Sequence, residues 1–159
     1  MHEIEIYWGI KMGIGRILFS GKGTLPVLER SIAFTEKRQR ILAQNLANVE
    51  TNGYKSKDLN IEEFQSLLSE AIGGRSKMHP RQFKMNSGRD ISVNSLNGSL
   101  TFNVMTPQDD TSMRHDNNNV TYENELSKIV QNGLAHRAYA KFIKGSFDGM
   151  TKAIIGRAG

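Results

Sequence analysis

The chain has no cysteine among its 159 residues. Disulfides, thiolate-bound metal and a cysteine nucleophile are excluded together, and the redox compartment stays open. Aromatic residues make up only 8% of the sequence and hydrophobic residues 38%. That is below the apolar share of an ordinary globular domain, so a large compact core is not expected from a chain of one-domain length. Also lacking is any uninterrupted apolar run of the ~18 to 20 residues that a membrane-spanning helix requires. The apolar stretch 4–19 is broken by Lys11, Arg16 and three glycines, with Glu3 and Glu5 where a secretory signal carries positive charge. Cleavable export is therefore not expected.

The constellations of catalysis are missing as well. His2, His79, His115 and His136 never fall at metal-ligand spacing from one another or in a Glu-x-x-His pattern, so no metal and no cofactor is expected, and His136 reads as a packed or interfacial ring. Serine, histidine and aspartate are present without a nucleophile-elbow sequence, which leaves hydrolysis no foothold and makes an enzyme unexpected. Gly21-Lys22-Gly23-Thr24 imitates a phosphate loop. Its spacing from Gly15 is one residue too long, and glycine stands where serine or threonine would bind the metal.

What is present begins with charge. Twenty-one basic against sixteen acidic residues give +5, scattered enough to read as a solvated basic surface. Arg38, Arg40, Lys55 and Lys57 lie near one helix end and support an alternative, a basic helical nucleic-acid-binding module. Against it, no reader motif is present and these residues do not line one face.

Periodicity carries the fold. A first helix is expected from Thr24 as N-cap, with Pro26 tolerated in the first turn. Its seam is Leu28, Ile32, Thr35, Gln39, Leu42, Leu46 and Val49, alternating steps of four and three. Phe34 and Ile41 widen the stripe, so this helix has room for more than one neighbour. Asn52-Gly53 then turns the chain through a pair tolerant of positive φ. After an extended polar stretch at 55–58, Asn60 with Glu63 resembles a helix-start box. Ile61, Phe64, Leu67, Leu68 and Ala71 make a short second helix that Gly73-Gly74 is expected to end.

From 75 to 119 the composition is loop-like. The exception is a hairpin across Asn97-Gly98, expected to set Ser95 opposite Leu100, Val93 opposite Phe102 and Ile91 opposite Val104. Two strands alone are marginal in water, so the hairpin needs a surface to lie on. Asp116-Asn117-Asn118-Asn119 supplies capping residues for a long amphipathic helix over 120–155. Its seam, Tyr122, Leu126, Ile129, Gly133, His136, Ala140, Ile143, Phe147, Met150 and Ile154, keeps the four-three alternation throughout, with eight of ten positions apolar. Gly133, Gly145 and Gly149 each cost about 1 kcal/mol against alanine. Burying the large seam residues returns roughly 9 to 18 kcal/mol gross. The gain exists only under cover, so the free monomer is expected to hold this helix weakly unless the first helix and other subunits pack on it.

The fold class expected is mainly α: two terminal amphipathic helices forming a coiled-coil core, a short second helix, and a loop-rich middle carrying the hairpin. The division expected is an N-terminal extension (1–23), a paired helical core (24–74 with 120–156) and the middle segment (75–119). The extension is set apart by apolar residues without a clean period; that it is an added arm, or lies upstream of a true start at Met12, is what the family resemblance carried by the run 45–55 implies.

The run Asn45-Leu-Ala-Asn-Val-Glu-Thr-Asn-Gly-Tyr-Lys55 resembles the signature that closes the N-terminal helix in bacterial flagellar rod and hook proteins. The usual form ends Thr-Pro-Gly-Tyr-Lys, so Asn52 replaces a proline, and Asn-Gly turns a chain as readily. In the C-terminal half, Asp116 to Val120, Glu125-Leu126, Asn132, Tyr139, Phe147, Met150 and Ala153-Ile154 are similar in order and spacing to proximal rod members of that family. A related second proximal rod subunit shares the architecture and stays open as an alternative.

The resemblance implies a structural subunit exported unfolded through the flagellar type III apparatus without a cleaved signal. It implies assembly in the periplasm through paired terminal helices. The partners implied are other rod subunits, copies of itself, the ring-to-rod adaptor and the membrane ring. Seam position and signature together assign subunit contacts to Leu28, Ile32, Leu42, Asn45, Leu46, Asn48, Val49, Gly53 and Tyr54, and to Leu126, Ile129, Ile143, Phe147, Met150 and Ile154. From the residues alone, Asn45 is expected to face solvent. Asn48 is open to either solvent or a neighbour's main chain, and Tyr54 to local packing or subunit contact.

Overall fold

The computed structural model describes residues 24–75, 83–106 and 122–155. The N-terminal extension, the phosphate-loop imitation and the capping cluster 116–119 lie outside the described residues, as do the side chains of Met150 and Ile154. The elements run α1 (Leu25–Ala47), α2 (Ile61–Arg75), β1 (Ile91–Val93), β2 (Leu100–Phe102) and α3 (Tyr122–Ile155). The mainly helical class read from the sequence holds.

Helix α1 starts where expected but without the expected cap. The Thr24 carbonyl accepts from Leu28 N at 3.1 Å, while its side chain caps nothing. Pro26 at the second helical position has no N–H to offer, which removes one of the two donors an N-cap hydroxyl normally takes. At the other end, Gly53 adopts φ +73° in a turn closed by Thr51 N to Asn48 O at 3.0 Å and Tyr54 N to Thr51 O at 3.1 Å. A left-handed backbone is what glycine supplies without steric cost.

Helix α2 begins as read, with Asn60 Oδ1 accepting from Glu63 N at 3.0 Å. The reciprocal bond of the box is not made. The Glu63 carboxylate turns to the backbone N–H groups of Arg89 and Asp90 instead. The helix also continues through Gly73 and Gly74 to Arg75. Both glycines are exposed, and glycine there only weakens a helix, by about 1 kcal/mol each, without forbidding it.

The hairpin forms with its register shifted by two: Ile91 pairs with Phe102, Ser92 with Thr101 and Val93 with Leu100. The loop is wider than an Asn-Gly two-residue turn. Asn94 N donates to Ser99 O at 2.9 Å, Asn94 Oδ1 accepts from Leu96 N at 2.9 Å and Asn97 Oδ1 from Ser99 N at 2.9 Å, and Gly98 takes φ +66°. Two asparagine side chains thus satisfy loop donors that a tighter turn would not expose. A slip of two preserves the faces, so Ile91 and Val93 still lie on one side with Leu100 and Phe102.

That side meets α1 and α2. Val27, Phe34, Ile41, Leu59, Phe64, Leu68, Ala71, Met85 and Ile91 form one buried cluster. Phe34 sits at its centre, stacked on Phe64 at 4.1 Å between centroids and edge-on to Phe102 at 5.7 Å. Such aromatic pairs add to plain area burial. The widening of the α1 stripe by Phe34 and Ile41 is therefore the footprint of α2 and the hairpin, while the adjoining face of α1, roughly 100° round the helix, carries α3. Thr35 meets His136, Gln39 meets Asn132 and Asn45 meets Glu125, so the terminal helices run antiparallel. Extending that pairing brings Leu25 level with Ser146. Residues 147–155 run past the first turn of α1.

Candidate functional site

Asn45 organises the end of α1. It is wholly buried, and its four hydrogen-bonding capacities are all used. The amide donates to Lys57 O at 2.7 Å and Glu125 Oε2 at 2.8 Å. Its oxygen accepts from Tyr54 Oη at 3.1 Å and Lys57 N at 3.0 Å. An asparagine satisfied in this way loses nothing by leaving water, and it ties three separate stretches together.

Glu125 is equally enclosed, 2% exposed, and its other oxygen accepts from Lys128 Nζ at 2.8 Å. A buried carboxylate needs such partners to stay charged. Burial, and then the Glu125 charge, raise the Tyr54 phenol above its ordinary 10.0. A second tie lies about two turns back along α1, where Arg38 grips Asp58 through Nε and Nη2, both at 2.8 Å. Asp58 in turn pairs its backbone with Met105. The signature loop is thus fastened at both ends. One of the four basic residues on which a nucleic-acid surface would draw is used internally.

The seam between α1 and α3 is more polar than the sequence suggested. Asn132 is buried and donates to Thr35 O at 2.9 Å and Gln39 Oε1 at 2.8 Å. Thr35 Oγ1 lies 3.0 Å from His136 Nδ1 and also within reach of the Ser31 and Ile32 carbonyls. A hydroxyl has one proton, and once it is given to the helix carbonyl its oxygen is free to accept from an Nδ1–H imidazole. Tyr139 lies half-buried on the same face, and burial raises its phenol above 10.0.

This corrects the expected α3 seam. Ile129, His136 and Ile143 are half-buried as read. Leu126 at 41% and Phe147 at 49% are exposed, as are Tyr122, Val130 and Leu134. Glu125 and Asn132 take the positions expected for Leu126 and Gly133. On α1 and the turn that follows it, Leu28 and Leu42 are buried, Ile32, Leu46, Asn48, Val49 and Tyr54 half-buried, and Gly53 exposed. Asn45 does not face solvent. Asn48 spends its amide locally, on Gln44 O at 2.8 Å.

Glu125, Asn132 and Arg38 were not singled out in the sequence as seam or anchor residues. The available signal was their spacing: Glu125, Asn132, Tyr139 and Ser146 form their own seven-residue column. Among the described residues, no group of three or more His, Asp or Glu could hold a metal, and no helix is long and apolar enough to cross a membrane. An open hollow lined by Tyr122, Leu126 and Val130 runs along α3 alone.

The arrangement is therefore a helix pair whose seam mixes buried leucines with polar contacts and whose outer face carries exposed apolar side chains, a geometry suited to packing against other helices. A scan against models of known protein families finds no match. Individual proteins do match. The flagellar basal body rod protein FlgB of Aquifex aeolicus is 34% identical over 142 residues, 89% of this chain and 98% of that protein. The same protein of Bacillus subtilis is 27% identical over 139 residues, 87% and 97%, and that of Proteus mirabilis 29% over 133, 81% and 91%. With a third of its positions shared along almost the whole of the Aquifex protein, the signature at 45–55 is one part of a likeness running from end to end, and the chain belongs to the FlgB family of flagellar basal body rod proteins.

Proposed function

We propose that this chain is a structural subunit of the proximal rod of the flagellar basal body, built in by packing α3, on the side turned away from α1, against helices of neighbouring subunits. The observation that carries the reading is the pairing of family membership with an apolar column, Tyr122, Leu126, Val130 and Leu134, exposed on the terminal helix of the free chain. Exposed apolar side chains in a row mark an association surface. Partners are copies of this chain and other rod subunits, with the ring-to-rod adaptor and the membrane ring at the base. Delivery is through the flagellar export apparatus to the periplasm, without a cleaved signal.

Deleting residues 151–159 tests the role of the tail. The truncated protein is expected to accumulate in soluble form and to leave cells without assembled rods or swimming. Swimming at the wild-type level would refute the assignment.

A further inference from the structure

Helix α3 carries two columns that could close on α1. Both share Ile129, His136 and Ile143. One adds Leu126, Gly133, Ala140 and Phe147, the other Glu125, Asn132, Tyr139 and Ser146. The two settings differ by a rotation of α3 about its own axis of roughly 50°, half the step between successive residues of a helix. Apolar burial favours the first, which would cover Leu126 and Phe147. The structure takes the second.

Two rungs of polar contact separate the settings, Asn45 with Glu125 and Gln39 with Asn132, both at 2.8 Å, while Thr35 with His136 at 3.0 Å lies on the shared column and belongs to either. Turning α3 to the apolar setting would swing Glu125 and Asn132 out of the seam. Asn45 would keep its Lys57 and Tyr54 bonds but lose an acceptor for its second amide proton, inside a site sealed from water. Polar groups at seam positions choose among packings more than they add stability, because the wrong packing leaves them unpaired.

We propose that this ladder is the element that selects the rotational setting of α3, holding the Leu126 to Phe147 column outward. The selection is a property of this chain alone. That the outward column then serves neighbouring helices rests on the rod function proposed above.

The absence of native cysteine makes the test direct. Single cysteines at Leu126→Cys and Tyr139→Cys are labelled with a thiol reagent in the full-length chain. They are compared in three backgrounds: the intact ladder, Gln39→Leu/Asn132→Leu, and, as a control on the shared column, Thr35→Val/His136→Leu. Each pair removes both partners of a rung, so no buried group is orphaned by design. With the ladder intact, position 126 is expected to react several-fold faster than position 139. In the Gln39→Leu/Asn132→Leu background that ratio is expected to collapse or invert, with helical circular dichroism retained, whereas the control background is expected to keep it.

An unchanged ratio in helical Gln39→Leu/Asn132→Leu protein, or an equal collapse in the control, overturns the proposal. Loss of helix in both backgrounds overturns it too, because the ladder would then hold the pair together instead of choosing its setting. Labelling reads the free chain and is blind to rods, whereas the truncation reads only assembly, so the two ideas fail separately.

Discussion

At the scale of single residues, the largest effects should come from groups whose partners are remote in sequence. Asn45 is the clearest. Replacing it by alanine takes from Lys57 N its acceptor in a part-buried position and from the buried Glu125 the amide donor on one of its oxygens. A cost of about 2 to 4 kcal/mol is expected from unsatisfied buried groups of this kind. Urea denaturation measures it, and a loss below ~1 kcal/mol would mean water fills the gap. Nothing local forecasts this role. Asn45 and Asn48 stand three apart near a helix end and look alike, yet one is sealed by a helix eighty residues away and the other bonds its own turn.

Tyr139 gives a pH signature at the same scale. Its phenol is held above 10.0 by burial, so from about pH 10 upward the unfolded chain releases this proton before the folded one does. The unfolded state then binds fewer protons, and stability falls as pH rises through that range. Tyr54 is shifted in the same direction. Tyr139→Phe is expected to make the alkaline loss shallower while leaving stability near neutrality little changed, as read from melting temperatures between pH 8 and 11. An equal alkaline slope in the variant would assign the effect elsewhere.

At the scale of elements, existence and extent were legible and rotation was not. Apolar periodicity over 120–155 matches the helix Tyr122–Ile155 closely, because four-three spacing is a property of one strip of sequence. Which of two adjacent strips faces inward depends on what α1 offers, and α1 offers Thr35, Gln39 and Asn45. The hairpin behaves likewise: alternation fixed its faces, while loop chemistry at Asn94 and Asn97 moved its pairing by two.

The glycines of α3 belong to this scale. Gly145 and Gly149 are exposed, and a Cβ at either meets nothing within 4 Å. Gly145→Ala and Gly149→Ala should each stabilise the free chain by about 0.5 to 1 kcal/mol, through helix propensity and a less flexible unfolded state. Thermal melts followed at 222 nm check this. A destabilised variant would indicate a contact that the folded chain makes there.

At the scale of the whole molecule, stability is unevenly distributed. The apolar cluster lies on one side of α1, with Phe34 stacked between α2 and the hairpin. The side facing α3 combines the buried Leu28 and Leu42 of α1 with a row of hydrogen bonds, and net hydrogen-bond gains are modest, about 0.5 to 1.5 kcal/mol each. Beyond Ser146 no described residue of α1 remains to pack on. Local opening should therefore be graded, since regions with few buried apolar contacts open at low free energy. Native-state hydrogen exchange is expected to find the slowest amides around 38–45 in α1, intermediate protection over 125–143, and little over 147–155. Uniform protection along α3 would mean that the polar seam transmits the stability of the core to its end, and the outer third of the helix would then not be waiting for a neighbour to fix it.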